Sequence, residues 1–253
     1  MSKSNITSNI EKSRNTSEQF DWYKSREDVL RKIDVMDVAD NFSVFATRQQ
    51  LTRFIETYRY WELIKNIPGN ILECGVAGGN FLFSMAHFCS IYEPHHYIRK
   101  CVGFDTFEGF TNPSKQDMSS NADHMKTGGL RFESYEYLQA LIALYDQNRM
   151  IGNIPKVSLH KGDICSTLPS YLEKNPSSII SLLHLDLDLY APTKAVLETA
   201  LARMPKGGVI VFDELNHGDY PGETIAVMEV LGIRNLKLKR VLEATTAAYV
   251  IIS

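Results

Sequence analysis

The chain has 253 residues, 44% hydrophobic and 23% charged, with only 9 prolines, which excludes disordered and fibrous classes and suits one large water-soluble domain, alone or with a helical extension. Twenty-seven Lys and Arg against 30 Asp and Glu leave a net charge of -3, without the basic excess of a protein that tracks phosphate backbones, so nucleic acid is not expected as a partner. Residues 1–10 lack an apolar signal core and no run approaches the ~18 apolar residues of a membrane span, so a cytoplasmic location without membrane contact is expected.

Residues 1–19 are rich in Ser, Asn, Lys and Glu and read as a flexible tail. From 20 to 67 the pattern is helical. Leu51, Phe54, Ile55, Tyr58, Leu63 and Ile64 recur near a 3.6-residue period, and Thr47 with Gln50 has the spacing of a capping box. This N-terminal helical extension also carries Trp22, Tyr23, Tyr58, Tyr60 and Trp61, a stripe suited to core or dimer contacts.

At Pro68-Gly69 the character changes, and apolar runs bounded by turns alternate with amphipathic stretches over 68–253. That alternation predicts an α/β fold built on a mostly parallel sheet. Strands are expected near 70–76, 101–106, 156–161, 179–187, 208–213, 236–242 and 247–252, and helices near 79–92, 134–149, 191–203 and 222–231. Only Glu243–Thr246 separates the last two strands, too short for a parallel crossover, so they should form an antiparallel C-terminal hairpin. The polar stretch 110–131, longer than a connection needs, resembles a lid-like insertion, though a plain surface excursion has the same appearance. Cys74, Cys89, Cys101 and Cys165 lack C-x-x-C spacing and read as buried free thiols.

Ile71–Gly79 runs off an apolar strand through a glycine-rich turn into a helix. Ala77 and Asn80 stand where a dinucleotide fingerprint needs its second and third glycines, which disfavours a pyrophosphate. Glu73, at the end of that strand, would attract an amino group or a cation. The second strand ends at Asp105, where a carboxylate can accept both hydroxyls of a ribose, and the third at Gly162-Asp163. Each acid alone is commonly a turn residue or helix cap; three in series along one sheet edge point to a ligand.

Further along, Asp186 and Asp188 stand at i, i+2, and the strand 208–212 runs into Asp213-Glu214. If these strands are neighbours, four acids gather at one edge, and no Lys or Arg within 181–190 or 208–216 offsets them. A bound cation relieves the repulsion, and oxygen ligands suit Mg²⁺, or Mn²⁺ or Ca²⁺, better than zinc. A proton shared between paired carboxylates, as in glycoside hydrolysis, is the alternative.

E-x-G-x-x-x-G at 73–79, Asp105 and Gly162-Asp163 resemble the class I S-adenosylmethionine-dependent methyltransferases. Phe104–Gly109, Leu185–Thr193 and Lys206–Glu214 narrow the resemblance to metal-dependent sugar O-methyltransferases of the macrocin, mycinamicin and novobiocin type. The resemblance implies a Rossmann-like sheet and S-adenosylmethionine as cofactor. Glu73, Gly75 and Gly79 would then lie by its methionine part, Asp105 on the ribose, Asp163 near the adenine, and Asp186 at both cofactor and metal. It assigns the metal to Asp186, Asp213 and Glu214, with Asp-Glu here where many relatives have Asp-Asp. The implied acceptor is a small molecule, a deoxyhexose linked to a nucleotide or natural product. A non-sugar acceptor, a hydroxylase-like activity on this fold, and a non-catalytic S-adenosylmethionine-binding module are the competing readings.

A sugar hydroxyl needs a base. His217, three residues past Glu214, and His124, in the insertion, are the candidates. His184 is expected mid-strand as a structural residue. The apolar face of the helical extension predicts a homodimer or higher homo-oligomer.

Overall fold

The computed structural model describes residues 17–118 and 125–253. His124 and most of the tail lie outside the described residues. The chain divides into two compact units, one up to Leu51 and one over Thr52–Ser253.

The first unit holds α1 (Ser17–Leu30), α2 (Val35–Asp40), α3 (Phe42–Phe45) and the first turn of α4 (Arg48–Ile64). Helix α1 begins at Ser17, inside the stretch expected as tail. Asp34 caps α2 by accepting from the Met36 amide at 2.7 Å. Arg26 donates to the Phe45 carbonyl at 2.7 Å, tying α1 to α3. The expected capping box opens α4: Gln50 Oε1 accepts from the Thr47 amide at 2.8 Å and Thr47 Oγ1 from the Gln50 amide at 3.1 Å.

The second unit is a three-layer α/β fold. Its strands are β1 (Asn70–Cys74), β2 (Cys101–Asp105), β3 (Val157–Lys161), β4 (Ile180–Leu185), β5 (Val209–Phe212) and β6 (Ala248–Ile251), in the order β3-β2-β1-β4-β5-β6. All neighbours are parallel except β5 and β6. The strands are nearly continuous apolar runs because both faces are covered. Alternation sends Ile71, Leu182, Val209 and Val211 to one face, against Tyr60, Trp61 and Ile64 of α4, α5 (Asn80–Tyr92) and α6 (Tyr135–Gln147). Leu72, Leu183, Ile210 and Phe212 take the other, against α7 (Ile164–Lys174), α8 (Tyr190–Ala200) and α9 (Pro221–Val230). Tyr60 and Trp61 are thus core residues, and Trp61 stacks on Tyr92 with centroids 4.6 Å apart.

Three local expectations differ. The hairpin's first strand, 236–242, shortens to a single bridge between Lys239 and Tyr249, and the antiparallel partner of β6 is β5. Helix α7 was not anticipated: Pro169 inside an 11-residue stretch hides its period, yet Ile164, Leu168, Tyr171 and Leu172 bury one side of it. Cys165 is exposed, while the other three cysteines are buried and all four are free.

The switch from β1 to β4, where the sheet reverses direction of growth, opens a crevice at the carboxyl ends of these strands. The described parts of the insertion fold back beside it. Phe110 exchanges backbone hydrogen bonds with Gly128 and Gly129, and Phe110, Met125 and Leu130 pack on Leu189 and Tyr220.

Candidate active site

Register builds the site. Glu73 on β1 pairs with His184 on β4, and His184 with Val211 on β5, so these residues share one sheet face. Two residues on, Gly75, Asp186 and Asp213 follow on that face, with the Asp186 amide bonded to the Cys74 carbonyl and the Asp213 amide to Leu185. The strands end here, and the face opens into a cavity of about 120 Å³ whose walls include Arg53, Glu73, Val76–Gly78, Phe81, His184, Asp186 and Asp213.

One wall is the glycine turn. Gly75 lies at φ +96°, and a Cβ there would stand 1.8 Å from the Asp186 carbonyl oxygen, so only glycine brings β1 this close to β4. Asp105 Oδ2 accepts from the amides of Val76 and Ala77 at 2.7 and 2.8 Å, and Oδ1 from Phe107 at 2.6 Å. A carboxylate therefore occupies the anion-binding concavity of the turn, the physical reason a pyrophosphate does not belong there. Asp105 has roughly one of its four acceptor positions left for a ribose hydroxyl. Gly79, at φ +82°, begins α5.

The opposite wall is acidic. Burial raises the Glu73 carboxyl well above its ordinary range, with the Asp105 charge adding to it, and its Oε2 has no hydrogen-bond partner. Burial, then Asp213 and Asp188, likewise raise Asp186. Asp188, at φ +61°, is pushed up to about 7 by burial and Asp213. His184, Asp186 and Asp213 each present a donor atom within 4.8 Å of the others. Burial pushes His184 down to about 4, which keeps its ring neutral and able to donate a lone pair. Two carboxylates and a neutral imidazole this close together fit a divalent cation, while the buried, unpartnered Nδ1 of His184 stands 4.0 Å from Glu73 Oε1.

The structure brings the expected residues together only in part. Asp186 and Asp213 meet as expected, but Glu214 lies outside that donor group: its Oε2 stands 3.7 Å from His217 Nδ1, and its amide bonds to Glu223 Oε1 at 3.0 Å. Asp213 and Glu214 both follow the end of β5 at Phe212, and Arg53 feels the charges of Asp213, Asp186 and Glu214. His217 does not line the cavity; its Nδ1 accepts from the Asp219 amide at 3.2 Å. Asp163 is exposed and caps α7 through the Cys165 amide at 2.9 Å, and it too is absent from the cavity wall.

Three further residues stand among these acids. His184, expected as a structural mid-strand residue, lines the cavity on the same face as Asp186. Glu223, fully buried on α9, was hidden in an ordinary helical stretch. Arg53 reaches within 3.9 Å of Asp213 from α4, far away in sequence, and Asp213 raises its already high pKa. The acidic edge is therefore not without a basic neighbour.

A doubly wound sheet with an acid-held glycine turn at its switch point and an acid-rich cavity beside it defines a class I S-adenosylmethionine-dependent methyltransferase. The model of the TylF macrocin-O-methyltransferase family matches residues 48–229, and the chain belongs to that family. It is an O-methyltransferase. Two solved structures of CalS11 are similar throughout: the calicheamicin methyltransferase at 30% identity and TM-score 0.89, over 94% of this chain and 93% of that one, and its apo form at 31% identity and TM-score 0.80, over 94% and 95%. The apo form is described as a TDP-rhamnose 3'-O-methyltransferase of calicheamicin biosynthesis. The O-methyltransferase NovP shares the fold at 18% identity and TM-score 0.62, over 80% of each chain. None of the curated proteins compared matches the sequence.

Proposed function

We propose that the enzyme methylates a hydroxyl of a deoxyhexose carried on a nucleotide or natural product, using S-adenosylmethionine and a divalent cation. The observation that carries this reading is a cavity whose walls include both the glycine turn and the Asp186–Asp213 pair. The likeness to CalS11 over nearly the whole chain supports the sugar acceptor.

Methyl transfer from a sulfonium is an in-line displacement, so the protein's task is to align the acceptor oxygen with the methyl carbon and to take up its proton. Glu73, buried with an unpartnered oxygen at the cavity wall, is placed to accept from the cofactor's ammonium group. Gly75 and Gly79 shape the turn beside it, while Asp105 and Asp163 are proposed for the ribose and adenine. Asp186 and Asp213 would hold the cation, with Glu214 as the further carboxylate of the expected set. Mg²⁺, or Mn²⁺ or Ca²⁺, bound there would stabilise charge developing on the acceptor oxygen. His217 or His124 is proposed to receive the proton. The acceptor enters past the 110–131 insertion, and a homodimer is proposed as the working assembly.

Calorimetric titration with S-adenosylmethionine, with and without Mg²⁺, followed by methyl transfer to TDP-rhamnose, tests the reading. Cofactor binding with chelator-sensitive turnover is expected. Turnover unchanged after exhaustive chelation would remove the metal, and binding without any methyl transfer to a nucleotide-linked deoxyhexose would remove the sugar.

A further inference from the structure

We infer that Arg53, on the helical extension, is a binding residue for the cofactor: its guanidinium holds the α-carboxylate of the methionine part while Glu73 holds the ammonium. The inference rests on the reading that this end of S-adenosylmethionine lies against Glu73 and the glycine turn, and it needs neither the cation nor the sugar.

Helix α4 forms one wall of the cavity. Arg53, Glu56, Thr57 and Tyr60 stand at i, i+3, i+4 and i+7, a single helical face, and all four line it. Tyr60, Trp61 and Ile64 are buried in the core, so the backbone that carries Arg53 is fixed. Its head is not. Some 64% of the side chain is exposed, and the closest carboxylate oxygen among the described residues, Asp213 Oδ2 at 3.9 Å, is beyond hydrogen-bond reach. An anchored helix therefore presents a guanidinium whose donors are available to a ligand.

Charge and volume then select the ligand group. Arg53 is the one Lys or Arg among the described residues of the cavity wall, which also carries Glu56, Glu73, Asp186 and Asp213. Most amides of the glycine turn are already spent, those of Val76 and Ala77 on Asp105 and that of Gly79 on the Val76 carbonyl. The positive charge left for an anion is Arg53. A volume of about 120 Å³ suits an amino-acid end group and lies well below the ~300 Å³ at which pockets for drug-sized ligands begin, too small for the diphosphate end of a nucleotide-linked sugar. An α-amino acid carries one cation and one anion on the same carbon, and the wall offers one acid with an unpartnered oxygen, Glu73, and one guanidinium. A guanidinium meets a carboxylate through two parallel hydrogen bonds.

Calorimetric titration in chelator with S-adenosylmethionine and with its decarboxylated analogue, which lacks only the group in question, tests the assignment. Wild type should prefer the carboxylated ligand by at least ~10-fold, the scale of a charge-assisted hydrogen bond. R53M should lose at least ~10-fold for S-adenosylmethionine while keeping its affinity for the analogue, a ligand-specific loss that a merely structural role would not produce. R53K, which keeps the charge without the fork, should fall between. Equal affinities of the wild type for the two ligands overturn the assignment even if R53M does not fold. An equal loss for both ligands in R53M overturns it as well. So does unchanged S-adenosylmethionine affinity in R53M with a raised KM for TDP-rhamnose, which would put the guanidinium on the acceptor's phosphates. A wild type that binds neither ligand overturns the cofactor reading on which the inference rests.

Discussion

Gly75 is the residue on which the geometry of the cavity turns, because β1 and β4 approach there closer than any side chain permits. Gly75→Ala would combine a left-handed φ with a Cβ driven into the Asp186 carbonyl, and should destabilise the protein by at least about 2 kcal/mol and abolish cofactor binding; denaturant unfolding and calorimetry read the two effects. Asp186→Asn nearly preserves volume while removing a charged donor, so S-adenosylmethionine affinity should change little and the methyl-transfer rate should fall at least ~10²-fold. A wild-type rate would remove Asp186 from the site. At Asp188 the folded pKa of about 7 lies above the ordinary carboxylate value. The folded state thus binds the proton more tightly than the unfolded chain, and this group's contribution is lost as pH rises from about 4 through 7. Asp188→Asn removes that penalty and suits the left-handed backbone. In metal-free buffer its melting temperature should therefore exceed wild type at pH 8, with the difference shrinking toward pH 4. A constant difference across pH would show that the carboxyl does not titrate in this window.

Among the elements, the 110–131 insertion is fastened by one buried acid. Asp117 is fully buried; its Oδ1 accepts from the Tyr190 amide at the start of α8 at 2.6 Å, and its Oδ2 from the Ser114 amide and hydroxyl, both at 2.6 Å. A Cβ on Gly222 of α9 would lie 2.0 Å from Oδ1, so α9 also closes around this carboxylate. Asp117→Ala leaves the three donors unpaired in the interior, a cost of several hydrogen bonds at about 1 kcal/mol or more each. Limited proteolysis within the insertion should accelerate well before global unfolding is reached. Equal cleavage rates in wild type and variant would mean that the insertion is held elsewhere. Asp163, by contrast, works for its element as the cap of α7.

For the whole molecule, both faces of the sheet are covered within the Thr52–Ser253 unit, yet α6 leaves Tyr137, Leu141 and Leu144 exposed at i, i+4, i+7. An apolar stripe of that spacing suits contact with another helix, and the proposed homodimer would use it. Light scattering at micromolar concentration should report at least a dimer, and Leu141→Lys should shift it toward monomer; a monomeric wild type overturns the expectation. No helix among the described residues is long and apolar enough to cross a membrane.

The sequence by itself determined the α/β class, the strands from β1 to β5, the glycine turn and the acids after β1, β2, β4 and β5, because buried parallel strands read as apolar runs and their ends as sharp polar changes. Periodicity is local, so it also placed Asp186 and Asp213 on strand ends. What only the tertiary structure decided depends on contacts between distant segments. Strand order makes β4 and β5 neighbours; register puts His184 beside the acid group; α9 sets Glu223 against the Glu214 amide; α4 delivers Arg53 to Asp213; and the amides of the turn occupy Asp105. Helix α7 and the shortened 236–242 strand were decided there too, since burial of Leu168 and Leu172 outweighs Pro169, while one bridge at Lys239 is all that β6 offers. Side-chain identity is written in one dimension, but which donors share a cavity is set by the pairing of strands far apart in the chain.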